Sequence, residues 1–314
     1  MPESRVLVVG DANVDLVLRG DIVPRFGQAE QLLDDARLVL GSSAGIAACG
    51  LAALGVETHL AAVVGDDEFG RFTRDALGRA GVGTTALSMV TGTPTGISVI
   101  LSGADDRAIL TLPGTVPLLT AGQVAAAVER LKPTHVHFAS YFLLPELAQG
   151  LPELLADLRS GGITTSLDTN WDPSGRWSGL AALLPAVDIL FPNLEELRAI
   201  ASRLGWDGAH DEGAARAIAA RGPRVVVKAG AAGGWSLGPD GERNSAPGLA
   251  LEVVDTTGAG DSFDAGYLAA LSQHITPERL RLRWAAVAGS LSTRGVGGTA
   301  AQGTLSELME RLPE

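Results

Sequence analysis

A single cysteine, Cys49, in a chain of 314 residues leaves no partner for an intramolecular disulfide, and no basic segment leading into an apolar stretch opens the chain. Both absences predict a protein of a reducing cytoplasm. Cys49 lies in the small apolar run Ala47-Ala48-Cys49-Gly50, which suits a buried thiol rather than a nucleophile. Positive charge is also scarce. Lys and Arg number 24 against 36 Asp and Glu, a formal net charge of -12, and no cluster of basic residues reverses that sign locally. Such a surface repels phosphate backbones, so nucleic acid is excluded as a partner. Strongly apolar membrane-length runs are missing too. Leu38 to Val56 carries no charge for 19 residues, but its four glycines and two serines make it too weakly apolar to insert. Gly41-Ser42-Ser43-Ala44-Gly45 reads instead as a loop entering a helix packed on a sheet. There is no internal repeat, low-complexity tract or long linker.

What the chain does have is apolar material for a large core: 46% hydrophobic against 19% charged residues. Val6-Leu7-Val8-Val9, ended by Gly10, is a continuous run expected of a strand buried on both faces. Ala61-Ala62-Val63-Val64, His135-Val136-His137-Phe138, Thr164-Thr165-Ser166-Leu167, Ile189-Leu190-Phe191 and Val225-Val226-Val227 are further strands, with helical periodicity between most of them. That alternation predicts an α/β fold over residues 1–314, a single domain with a mostly parallel sheet and helices on both faces. Two excursions leave this rhythm, at approximately 12–40 and 95–112. The second contains Ile97-Ser98-Val99-Ile100-Leu101, a turn at Ser102-Gly103-Ala104-Asp105-Asp106, and Ala108-Ile109-Leu110, a hairpin pattern. Together they predict a small β-sheet lid. His135 and His137 alternate within one strand, so both point to one face, where packing is the expected role. In open parallel sheets ligands bind beyond the carboxyl ends of the strands, which directs attention to the loops there.

The most informative segment is Leu251 to Leu268, read as strand, small-residue turn and helix. Phe263, Tyr267, Leu268 and Leu271 recur at helical spacing, placing the helix start near Gly260 or Asp261. Gly258-Ala259-Gly260 strips side chains from the turn, leaving backbone amides at a helix N-terminus to receive an anion such as a transferring phosphoryl group. Asp261 has two readings here. It caps the helix, or it serves the other reactant by orienting and deprotonating an attacking hydroxyl. In the second role the helix dipole keeps it ionised and a weak base, which suffices because phosphoryl transfer draws chiefly on positioning and charge stabilisation.

Asp255-Thr256-Thr257-Gly258-Ala259-Gly260-Asp261-Ser262-Phe263-Asp264-Ala265-Gly266 resembles the C-terminal signature of the PfkB, or ribokinase-like, carbohydrate kinases. The resemblance implies that Asp261 is the catalytic base, that the amides of Gly258, Ala259 and Gly260 form an anion hole, and that Asp255 helps bind a monovalent cation, potassium. It extends along nearly the whole chain. Gly10-Asp11-Ala12-Asn13-Val14-Asp15 is similar to the family's opening, implying sugar contacts from Asn13 and Asp15. Gly41-Ser42-Ser43-Ala44, with Gly65-Asp66-Asp67-Glu68-Phe69-Gly70 further on, resembles the N-terminal signature, implying substrate contacts from Gly41, Ser42 and Ser43. Two positions depart from it: Ser42 replaces a second glycine, and Ile46 stands where an asparagine aligns. Thr95-Gly96 resembles the entry to the family's lid, and Asp168-Thr169-Asn170-Trp171-Asp172-Pro173 with Trp177 its central strand and loop. Pro192-Asn193-Leu194-Glu195-Glu196-Leu197 resembles the motif whose asparagine and second glutamate, here Asn193 and Glu196, organise magnesium and phosphate through water. Lys228-Ala229-Gly230-Ala231-Ala232-Gly233 resembles the nucleotide loop, with Gly230 and Gly233 admitting the nucleotide and Lys228 facing either phosphate or solvent.

The expected activity is therefore transfer of the γ-phosphoryl group of ATP, with magnesium, to a hydroxyl of a small sugar of the ribose, fructose or keto-sugar class. A nucleoside is the alternative acceptor, and the lids offer a surface for pairing two copies. The competing readings are a non-catalytic nucleotide or sugar sensor and a dinucleotide-dependent oxidoreductase. Gly10-Asp11-Ala12-Asn13 lacks the glycine spacing the last requires.

Overall fold

Val6 to Val9 lie at the centre of the large sheet with no exposed surface, because strands on both sides and helices on both faces cover them. The computed structural model describes residues 4–103 and 107–312. Thirteen strands are formed there: β1 (Arg5–Val9), β2 (Asn13–Gly20), β3 (Leu33–Leu40), β4 (Glu57–Gly65), β5 (Leu87–Val90), β6 (Gly96–Ser102), β7 (Arg107–Leu112), β8 (His135–Ala139), β9 (Thr164–Asp168), β10 (Ile189–Leu190), β11 (Arg224–Lys228), β12 (Gly234–Leu237) and β13 (Arg243–Ala246). Nine of them make one sheet in the order β13-β12-β11-β10-β9-β8-β1-β4-β5. It is parallel except at one edge, where β12 and β13 turn back as an antiparallel meander. Apolar layers cover both faces, one built around Phe138, Leu151 and Leu197, the other around Phe191, Tyr267 and Trp284.

The two excursions form a separate four-stranded sheet, β3-β2-β6-β7. β2 pairs antiparallel with β3 and parallel with β6, and β6 and β7 form the hairpin. Part of its turn, residues 104–106, lies outside the described residues. One flank of this sheet is wet: Ile109, Leu110 and Leu112 are half exposed or more. No helix among the described residues is long and apolar enough to cross a membrane.

Two local expectations fail. Leu251 to Val254 is not a strand. Val253 and Val254 are more than half exposed, and the amides of Val254 and Asp255 donate to the Thr293 carbonyl at the end of the helix Glu278–Ser292 instead of to a neighbouring strand. Leu251 and Val253 line a cavity, and Leu251 also packs against the core. The helix after them also begins earlier than expected, spanning Ala259–Ser272 with Gly258 as its N-cap at φ 71. Asp261 is thus the third helical residue, and its capping reading falls.

Candidate active site

The loops at the carboxyl ends of β1, β8 and β11 and the segment before the helix Ala259–Ser272 converge on two cavities. The first, about 300 Å³, is lined by Asp11, Asn13, Asp15, Ser42, Ser43 and Ile46 from the opening of the chain, by Ser98 and Thr111 from the lid, and by Thr256, Thr257, Gly258 and Asp261. The second, about 490 Å³, is lined by Lys228, Gly230, Gly233, Leu249, Leu251, Val253, Thr256, Ala259, Gly260 and Phe263. Thr256 belongs to both walls, so the glycine turn and the helix N-terminus stand between them.

In the first cavity polar side chains are fixed by one another. Asn13 Nδ2 donates to Asp15 Oδ1 at 3.0 Å, and Ser98 and Thr111 hydroxyls lie 3.0 Å apart across the lid hairpin. Gly41 packs so closely on the Asp15 carboxylate that any Cβ would overlap it. Ser42 caps the helix Ser43–Ala53, its hydroxyl accepting from the Gly45 amide at 3.1 Å. It does so at φ 71, a left-handed conformation that costs a non-glycine residue roughly 1–2 kcal/mol. Asp11, to which the sequence reading gave no role, accepts from the amides of Ser43 and Ala44 at 3.3 and 3.0 Å. Burial nevertheless pushes its carboxyl above the usual range. Ile46 reaches this cavity while packing on the bare faces of Gly258 and Gly298, so its side chain buttresses the glycine turn.

Asp261 is 9% exposed and hydrogen-bonds the Ser43 side chain. Burial pushes its carboxyl up to about 8, aided by the negative Asp168 and Asp11 and opposed by Lys228. The expectation of a weak base held ionised by the helix dipole is therefore corrected: desolvation outweighs the dipole. In the turn before it, the Ala259 amide donates to the Thr256 carbonyl at 3.2 Å. The Gly258 and Gly260 amides have no acceptor among the described residues.

Lys228 faces neither open solvent nor an empty cavity alone. Its Nζ lies 2.6 Å from Asp168 Oδ2 and 3.4 Å from Asp264 Oδ2, both buried. Burial by itself would discharge Lys228, but Asp168 and Asp264 outweigh it and hold it charged. Asp264 is driven well above the carboxylate range by burial and shares a hydrogen bond with Asp168, which Lys228 keeps low. Beside this cluster, Asn193 caps the helix Leu194–Arg203, accepting from the Glu195 and Glu196 amides, and Glu196 Oε2 accepts from the Asn193 amide at 2.8 Å. Burial and then the negative Asp168 push Glu196 up to about 7. Gly230 and Gly233 both take positive φ, letting the backbone after β11 fold against the second cavity.

Asp255 sits at the loop's start. Its Oδ1 accepts from the Thr257 amide and hydroxyl at 2.9 and 2.7 Å, and its Oδ2 from the Gly297 amide at 2.9 Å. His135 and His137 are buried under the sheet and share Ser166, and burial pushes them down to about 3 and about 4. Cys49 is buried, its thiol pushed up to about 12.

The chain belongs to the pfkB family of carbohydrate kinases, whose family model matches residues 3–304. It is 30% identical over 300 residues to an ATP-dependent ribose-1-phosphate kinase of Halopiger xanaduensis, covering 95% of this chain and 94% of that protein. Among solved structures, a putative ribokinase II of E. coli in complex with ATP and Mg2+ superposes with a TM-score of 0.85 at 21% identity, covering 98% of both chains. Arabidopsis thaliana ribokinase complexed with ribose and ATP superposes with a TM-score of 0.84 at 23% identity, covering 99% of both.

Proposed function

We propose that this carbohydrate kinase transfers the γ-phosphoryl group of ATP to a hydroxyl of an unphosphorylated sugar held in the first cavity, with Asp261 taking the hydroxyl proton. The observation that carries the reading is the position of Asp261, third in its helix, at the wall between a cavity that carries carboxyls and hydroxyls and a more apolar one. Leu249, Leu251, Val253 and Phe263 suit a flat nucleobase in the second cavity. The first cavity carries the carboxylates of Asp11, Asp15 and Asp261 and no Lys or Arg among its described lining residues. Carboxyl groups bond sugar hydroxyls, and without a Lys or Arg there to receive a second phosphate the reading favours a free sugar over the ribose 1-phosphate of the Halopiger relative's name. A nucleoside remains the alternative acceptor.

In this mechanism Asp15 and Asn13 hold sugar hydroxyls, and Gly41, Ser42 and Ser43 shape the floor beneath them. Asp261 orients the attacking hydroxyl and removes its proton as the bond to phosphorus forms. The amides of Gly258 and Gly260, at the positive end of the helix, receive the charge of the transferring group, with Ala259 able to join once it releases Thr256. The lid keeps competing water out. Among the described residues no three carboxylate, imidazole or thiolate groups converge closely enough to hold a metal directly. Yet the buried carboxyls of Asp168, Asp264 and Glu196 share Lys228 as their cation, a donor set that fits magnesium bound through water by Glu196 and Asn193. When bound, that ion neutralises charge on the phosphates. A coupled ADP-release screen over free sugars, sugar acids, nucleosides and sugar phosphates tests the whole reading. Absence of ADP release with every acceptor overturns it.

Potassium at Asp255 would steady a loop already tied to Thr257 and Gly297, so activity should rise several-fold in potassium, with sodium substituting poorly. Equal rates in potassium and in tetramethylammonium, at fixed magnesium, exclude a cation there. Ile46 presents an apolar wall where a hydroxyl partner is needed for ribose, a loss of about 1–3 kcal/mol. Free ribose should therefore be a mediocre acceptor that Ile46→Asn improves. A wild-type kcat/KM for ribose of ~10⁴ M⁻¹s⁻¹ or more, unimproved by the substitution, would contradict this. The exposed Ile109, Leu110 and Leu112 support pairing of two copies through the lid, which sedimentation velocity should register as a dimer. A monomer at micromolar concentration would dismiss it.

A further inference from the structure

Next to the acceptor cavity lies another of about 440 Å³, and Pro113 and Leu143 line both. Each is within the ~300–1,000 Å³ range of small-molecule sites. The walls of the second are stiff. Pro117, Pro145 and Pro173 contribute rings with little freedom to lose, and Tyr141 and Phe142 pack edge to face with centroids 5.0 Å apart. Phe142 leans in turn on the buried Trp177, at 5.3 Å.

The polar rim is equally fixed. Asp172 accepts from the Ser174 amide at 2.8 Å and from the Trp177 amide at 2.6 Å, closing the loop after β9. The Ser174 hydroxyl accepts from Arg176 Nε at 3.2 Å and so steers the guanidinium. Among the described residues Arg176 forms no ion pair, although it lines this cavity with Ser174 and Ser178. None of these groups serves the proton transfer at Asp261.

We propose that this cavity is a second sugar subsite, holding the ring glycosidically joined to the phosphorylated sugar, so that the preferred acceptor is a disaccharide or larger glycoside. The proposal rests on the sugar-kinase reading and narrows its acceptor. Aromatic and proline faces cover the apolar face of a sugar ring, while Arg176, Ser174 and Ser178 meet its hydroxyls. A nucleobase fits less well, because Tyr141 and Phe142 stand at 69° to each other and offer no parallel pair of faces for stacking. Pro113 and Leu143, which line both cavities, mark where a linked ring would leave the acceptor cavity.

The test compares kcat/KM for ADP release within pairs: glucose and maltose, galactose and lactose, fructose and sucrose, with ribose and adenosine as a further pair. At least one disaccharide should exceed its monosaccharide tenfold or more. Arg176→Ala, at an exposed position, and Phe142→Ala should each reduce that ratio by about tenfold. Monosaccharides equal to or better than every disaccharide would overturn the subsite while leaving the kinase reading intact, as would ratios unmoved by Arg176→Ala. A preference for adenosine over ribose that Phe142→Ala abolishes would assign the cavity to a base instead. No ADP release with any member overturns the kinase reading and the subsite together.

Discussion

Asp261→Asn is expected to lower kcat by ~10²–10⁴-fold, the range for a positioned proton acceptor, while ATP affinity stays within a few-fold because the second cavity is untouched. The pH dependence supplies a separate reading. Asp261 must be ionised to accept a proton, and in the folded protein it is pushed up to about 8, so wild-type kcat/KM should rise with pH through that region. The variant should lack that inflection. Stability should move the opposite way. Unfolded, this carboxyl returns to its ordinary value of 3.8, so between there and about 8 the folded state holds a proton the unfolded state has lost. Stability contributed by that proton is present at low pH and declines as pH rises across the window. The melting temperature of Asp261→Asn should therefore gain on wild type between pH 5 and pH 8. Near-normal turnover in the variant would remove Asp261 from the mechanism.

Lys228→Met is expected to cost about 3–5 kcal/mol of folding stability, because it leaves the ionised Asp168 buried without its cation. Urea denaturation measures the loss. Adding Asp168→Asn to the variant should restore part of it, since the neutral side chain no longer needs Lys228. A single variant within about 1 kcal/mol of wild type would mean that water or a metal already compensates the cluster, against the pairing at 2.6 Å.

Much of this architecture is written locally. The uninterrupted apolar runs of β1, β4 and β11 identify the parallel sheet, and the lid hairpin shows in two apolar runs, Ile97 to Leu101 and Ala108 to Leu110, parted by a turn. The glycine turn with Asp261 stood out because little else explains bare backbone followed by a carboxylate at a helix start. What escaped depends on distance or on burial. Lys228 and Asp168 meet across 60 residues of sequence, and no local pattern pairs them. The short meander β12–β13 lacks a long apolar run because it forms the sheet's edge. Leu251 to Val254 has the composition of a strand, yet Leu251 and Val253 line a cavity, a use that composition does not distinguish. The basicity of Asp261 misled for a related reason: a helix N-terminus is visible in sequence, whereas the depth at which it is buried is not.

Four segments join the small sheet to the rest of the chain, and three of them line the first cavity. β1 passes to β2 through Gly10-Asp11-Ala12, and β3 returns through Gly41 and Ser42. β6 begins just after Thr95, whose hydroxyl and amide are clamped by Asp67 at 2.7 and 2.8 Å, and β7 ends at Leu112 beside Pro113. Mechanically the lid is a lever whose fulcrum is the binding site itself. Any tilt of the small sheet must be absorbed by these short joints, and on the proposed reading a sugar seated in the first cavity would stiffen those that line it.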